Sequence, residues 1–121
     1  MMYTEPLTDE RLADIRRGPG AYRIWSTDGE LLAACASEDD VKKKLKHFYQ
    51  GVSEGKIKAG VDAEAHRYLD IPGFAERYPV ASLRFNYQPT PRAQAKATRD
   101  QWLGEYAAEH PGQKPPLMTK R

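Results

Sequence analysis

Residues 18–37 read Gly-Pro-Gly-Ala-Tyr-Arg-Ile-Trp-Ser-Thr-Asp-Gly-Glu-Leu-Leu-Ala-Ala-Cys-Ala-Ser, and this stretch decides the fold. Two apolar runs, Ala21 to Trp25 and Leu31 to Cys35, flank Ser26-Thr27-Asp28-Gly29-Glu30. An Asp-Gly pair between strand-like runs is a strong hairpin signal, because Gly tolerates positive φ and Asp hydrogen-bonds its own backbone. Behind the hairpin, Ser37-Glu38-Asp39-Asp40 supplies a capping hydroxyl and three acids suited to the positive end of a helix dipole. A helix is therefore predicted over 38–50. Val41, Leu45, Phe48 and Val52 recur at four, three and four residues and mark its buried stripe. Lys43, Lys46 and His47 fall opposite that stripe, and Lys42 and Lys44 flank it.

Working outward, Thr8-Asp9-Glu10-Arg11 has the form of a capped helix start, ended by Gly18-Pro19-Gly20. Gly51, Gly55 and Gly60 are expected to loosen residues 51–61. A further helix should run from Asp62 to Leu69, stopped by Pro72-Gly73, with a short turn from Phe74 to Tyr78. Val80 to Tyr87 alternates, with Ala81, Leu83, Phe85 and Tyr87 on one side and Ser82, Arg84 and Asn86 on the other, as in a half-buried strand. Arg92 to His110 is the longest helical pattern, with Trp102, Leu103, Tyr106 and Ala107 as its apolar side. The expected fold is α/β (α+β) in the order α-β-β-α-α-β-α. Its sheet is three-stranded and antiparallel, formed near 21–26, 30–36 and 80–88, and covered by helices at 38–50 and 92–110. One domain spans 1–121, with a core over about 15–118 and a basic, Pro-containing tail at 112–121.

Composition narrows the function classes. The net charge is only +2, so any basic surface must be local; Lys42, Lys43, Lys44 and Lys46 provide one. Glu38-Asp39-Asp40 should confine their field to the later turns of the helix. Cys35 is the single cysteine, which excludes a disulfide framework within the chain, and no disulfide-linked partner is expected. No apolar run reaches membrane-spanning length and residues 1–6 do not resemble a signal segment. A cytoplasmic protein without membrane contact is the expectation.

The element order and Pro19-Gly20-Ala21-Tyr22-Arg23-Ile24 resemble the GIY-YIG nuclease family, over about Ile15 to Met118. Laid on the family pattern, Ala21 stands for the Ile of its first motif, and the Tyr and Gly of its second motif become Ala33 and Cys35. The family's helix Arg, which helps hold the scissile phosphate, falls at Lys42 after a one-residue insertion. Its metal-binding Glu falls at Asp100, three residues before Leu103-Gly104. Its closing Pro-x-x-Asn falls on Pro115-Pro116-Leu117-Met118, without the Asn.

The resemblance implies phosphodiester hydrolysis with Mg²⁺ or Mn²⁺, in which Tyr22 would help activate water, Lys42 would hold the phosphate and Asp100 would hold the metal. The departures weaken that chemistry. Lys lacks the planar fork of Arg, Asp is a methylene shorter than Glu, and a ligand misplaced by about 1 Å can cost on the order of 10²-fold. The expected function is a degenerate GIY-YIG-like domain, non-catalytic or weakly active. It would bind DNA or RNA through Arg23, Lys42, Lys43, Lys44 and Lys46, using the Lys helix and the hairpin groove. The alternatives are a metal-dependent DNA endonuclease with a relaxed motif, and a protein–protein interaction module with apolar patches at Ala33-Ala34 or Phe74 to Tyr87. The plain structural reading makes Tyr22 a packed strand aromatic, Asp100 a solvated carboxylate and the lysines a solvated helix face.

Overall fold

The computed structural model describes residues 3–55 and 63–119. The chain enters through β1 (Glu5–Pro6), and the Thr8 hydroxyl then accepts the Arg11 amide to open α1 (Asp9–Ala13). The hairpin forms from β2 (Gly20–Trp25) and β3 (Leu31–Ser37). Gly29 sits at φ 87° and donates its amide to the Ser26 carbonyl at 3.1 Å, while Ser26 Oγ accepts from the Glu30 amide at 3.0 Å. The register shifts by one residue near the turn: Ile24 faces Ala33, but Trp25 faces Leu31. The extra residue, Leu32, joins Ala33 in the main core.

Helix α2 (Val41–Glu54) starts later than 38 and ends later than 50. Ser37 does not cap it. The Ser37 hydroxyl accepts from the amides of Asp39 and Asp40, closing a local turn, and Asp40 takes the N-cap by accepting from Lys42 and Lys43. Gly51 does not loosen the chain; it lies buried inside α2, and Gly55 at φ 69° ends the helix. The predicted looseness at Gly60 and the helix start at Asp62 lie outside the described residues. Helix α3 (Ala63–Asp70) follows, and the expected turn at 74–78 is instead the short helix α4 (Phe74–Arg77).

Val80–Ser82 is a 3₁₀ turn rather than strand. The Pro79 carbonyl accepts from both the amide and the hydroxyl of Ser82, which curls the chain before β4 (Arg84–Pro89) begins. A second 3₁₀ turn at Arg92–Gln94 takes the start of the expected last helix, so α5 spans Ala95–Glu109.

The fold is α+β with an antiparallel sheet, as expected, but among the described residues the sheet has four strands in the order β1-β4-β2-β3. The strand missed by the sequence reading, β1, is two residues long and contains a proline, too short to show alternation. It pairs Glu5 with Phe85 and Pro6 with Arg84.

Central strand β2 divides the protein into two faces. Tyr22 and Ile24 join Phe85, Leu12, Leu45 and Phe48 in the main core beneath α1 and α2. Ala21 packs with Leu31, Ala34 and Trp102 of α5 on the opposite face. The packed region begins ahead of residue 15, since Leu7 and Leu12 are buried. It also takes in part of the expected tail: Leu117 enters the main core from the 3₁₀ turn Pro116–Met118. Met118 Sδ accepts from the Ala34 amide at 3.4 Å beside outer strand β3, and Thr119 Oγ1 accepts from Arg67 Nη2 at 2.7 Å.

Gly20 lies so close to β4 that an added Cβ would sit 2.5 Å from the Gln88 carbonyl oxygen, whereas one added at Gly104 in α5 meets nothing within 4 Å. Gly20→Ala should therefore lower unfolding free energy by about 1–3 kcal/mol. Gly104→Ala should raise it by up to about 1 kcal/mol. Urea denaturation of the two variants checks both signs.

Candidate functional site

The acidic run before α2 is neutralised by cations from elsewhere in the chain. Asp40 pairs with Arg17 at 2.8 Å, Glu38 with Lys96 at 3.2 Å, and Asp39 with Arg92 at 3.8 Å. The expectation that these acids confine the lysine field is corrected by that pairing. None of the ion pairs among the described residues involves Lys42, Lys43, Lys44 or Lys46. Lys43 and Lys44 are exposed, Lys46 and His47 are half-buried, and Lys42 Nζ donates to the Ala13 carbonyl at 2.9 Å. That bond places a cation on the C-terminal end of α1, where the helix dipole is negative.

Partial burial pushes the Asp40 carboxyl upward, but hydrogen bonds from the Lys43 amide and the Arg17 guanidinium outweigh it and hold its pKa below the ordinary value. Asp40 therefore caps α2, anchors Arg17 and remains ionised beside the lysines.

The positions aligned with the nuclease pattern do not converge. Tyr22 is 2% exposed and belongs to the core beneath α1 and α2, so its hydroxyl does not stand at the surface. Lys42 lies on that same side. Asp100 is on α5, across the sheet, with its Oδ1 held by Arg99 Nε and Nη2, both at 3.0 Å. Layers on opposite sides of a sheet are separated by on the order of 10 Å or more, too far to serve one phosphate together.

The donors present do not fit a divalent ion at Asp100, whose Oδ1 is held by the Arg99 guanidinium. Among the described residues no three His, Cys, Asp or Glu side chains gather to hold a metal. Arg23 also lies on the α5 face, away from the lysines with which it was grouped. Ala33 and Ala34 are fully buried, as is Phe85, and Phe74 and Tyr78 are nearly so; these stretches form core rather than an exposed apolar patch.

The hairpin groove does exist. The turn at Asp28–Leu31, the second half of α5 and residues 112–119 enclose a cleft of about 1020 Å³. Its floor is a stack that the sequence reading missed apart from Arg23. The guanidinium carbon of Arg23 lies 3.8 Å from the Trp102 ring centre and 5.4 Å from that of Trp25. Asn86 Oδ1 accepts from Arg23 Nε at 3.2 Å and from Trp25 Nε1 at 3.0 Å, fixing both side chains. The available signal was the spacing of Ala21, Arg23 and Trp25, which alternation puts on one face of β2.

Burial lowers the pKa of Arg23, and the charge of Glu105 acts against that trend. Asp28, Glu30, Glu105 and Glu109 line the cleft against only Arg23 and Lys114 as formal cations. No protein-family model matches the chain, and no curated protein or solved structure matches it significantly. The α2 surface and the cleft thus differ in kind: among the described residues the α2 lysines have no acidic ion-pair partner, while the cleft is predominantly acidic.

Asp40→Ala removes a cap and an ion pair together, and should cost about 0.5–2 kcal/mol at pH 7. Because the folded carboxyl titrates below its ordinary value of 3.8, its stabilisation is complete above that pH and fades as pH falls further. Urea denaturation of wild type and variant should show a gap at pH 7 that narrows toward pH 3.

Proposed function

We propose that the chain is a degenerate GIY-YIG-like domain that binds the backbone of DNA or RNA through α2 and has lost efficient cleavage. The observation that carries this reading is the charge arrangement at the start of α2. Arg17, Lys96 and Arg92 pair with its three acids, so Lys43, Lys44 and Lys46 retain their field for an external anion, and Lys42 adds its charge from its place on the Ala13 carbonyl. Such a surface binds phosphates by releasing condensed counterions, a mode that needs neither net charge on the whole protein nor base contacts.

The loss of cleavage rests on placement. In-line hydrolysis needs nucleophile activation, phosphate clamping and a metal at one point. Tyr22 is enclosed in the main core, Lys42 is tied to Ala13, and Asp100 is paired with Arg99 across the sheet. Groups that work as a unit lose most of their effect when one is displaced.

Fluorescence anisotropy with labelled duplex DNA and with single-stranded RNA, measured across a salt series, tests the binding. Affinity should fall steeply with salt. Lys43→Glu with Lys44→Glu should weaken it at least tenfold and lower the log–log slope by roughly 0.7–0.9 for every phosphate the variant no longer neutralises. Both positions are exposed, so the melting temperature should stay nearly unchanged. Plasmid nicking with Mg²⁺ or Mn²⁺ should be absent. Cleavage abolished by Asp100→Ala would restore the enzyme reading, and no binding at low salt would remove the nucleic-acid one.

A further inference from the structure

We propose that the cleft between the hairpin turn and α5 docks a basic peptide segment of a partner protein. It faces away from α2, so the proposal stands independently of nucleic-acid binding. A contact within the chain itself shows the chemistry of the floor. The guanidinium carbon of Arg23 lies 3.8 Å from the Trp102 ring centre and 5.4 Å from that of Trp25, so the floor already holds one cation–π contact of the kind an incoming Arg or Lys would extend along the cleft.

The cleft also carries an excess of negative charge, four carboxylates against Arg23 and Lys114. Asp28, Glu105 and Glu109 line the cleft and form no ion pair among the described residues. Glu30 differs, accepting from the Tyr78 hydroxyl at 3.0 Å and approaching Arg77 at 4.0 Å. Glu105 and Glu109 are four residues apart on α5, a like-charge spacing that disfavours a helix unless a cation lies across it.

The acids stand on both walls, Asp28 on the turn and Glu105 and Glu109 on the helix. An occupant that satisfies them must carry several cations along its length. The cleft volume of about 1020 Å³ is at the upper end for small-molecule sites and admits more than one side chain. An extended segment bearing Arg or Lys side chains meets both conditions, and an anionic ligand would be repelled by the acidic walls.

The test is an NMR titration of the ¹⁵N-labelled protein with acetylated hexa-arginine amide at physiological salt. The two tryptophans give two indole N–H signals, and both belong to the floor. Both should shift saturably. Glu105→Gln with Glu109→Gln should weaken binding at least tenfold. Asp9→Asn with Glu10→Gln makes the same charge change on α1, across the sheet, and should alter affinity less than twofold. Indole signals that stay unmoved would overturn the proposal, as would equal weakening by the two double variants. Equivalent shifts with hexaglutamate would overturn it as well, since the occupant would then not be selected by positive charge.

Discussion

Everything in this protein follows from the period-two geometry of its central strand. β2 is hydrogen-bonded on both edges, to β3 and to β4, so its residues cannot twist to reach a different face. Tyr22 and Ile24 must then point into the larger core, and Ala21, Arg23 and Trp25 toward α5. The close approach of Gly20 to β4 fixes where that alternation starts. A shift of one residue would bury Arg23 among leucines and turn the Tyr22 ring toward α5.

That constraint explains which parts of the fold were legible in the sequence. The hairpin could be read because its turn chemistry is local: Asp28-Gly29 with a Ser at 26 has few competing conformations. The stripe of α2 could be read because four apolar residues at helical spacing permit one buried face. β1 could not, because its existence depends on β4 offering an edge, a fact of tertiary pairing. The start of α2 was misplaced because two candidate caps lie three residues apart, and the hydrogen bonds choose Asp40 by using Ser37 for the turn before it.

The candidate sites were legible to a smaller degree, for a related reason. A motif alignment assigns roles along the chain, but chemistry requires residues to meet in space. Tyr22, Lys42 and Asp100 are plausible partners in one dimension and are divided by the sheet in three. The lysines of α2 were visible as a cluster, but the cations that neutralise their acidic neighbours come from residues 17, 92 and 96, which no local window joins. The stack of Arg23 on Trp102 joins residues still farther apart along the chain. The result is a segregation of charge: lysines without ion-pair partners among the described residues on the α2 layer, and the carboxylates of the cleft on the α5 layer.

The segment from Pro115 to Thr119 has a consequence for the order in which the structure can be assembled. Leu117 fills the core beneath the sheet while Met118 covers the open side of β3, so one short turn supplies both an interior contact and a guard for an otherwise unpaired strand edge. During synthesis the hairpin emerges about eighty residues before that guard does, leaving the apolar Leu31–Ser37 strand with a bare edge throughout the interval. The nascent chain is thus most exposed to strand-on-strand association at its most hydrophobic element, and its vulnerability ends only when the covering turn seats.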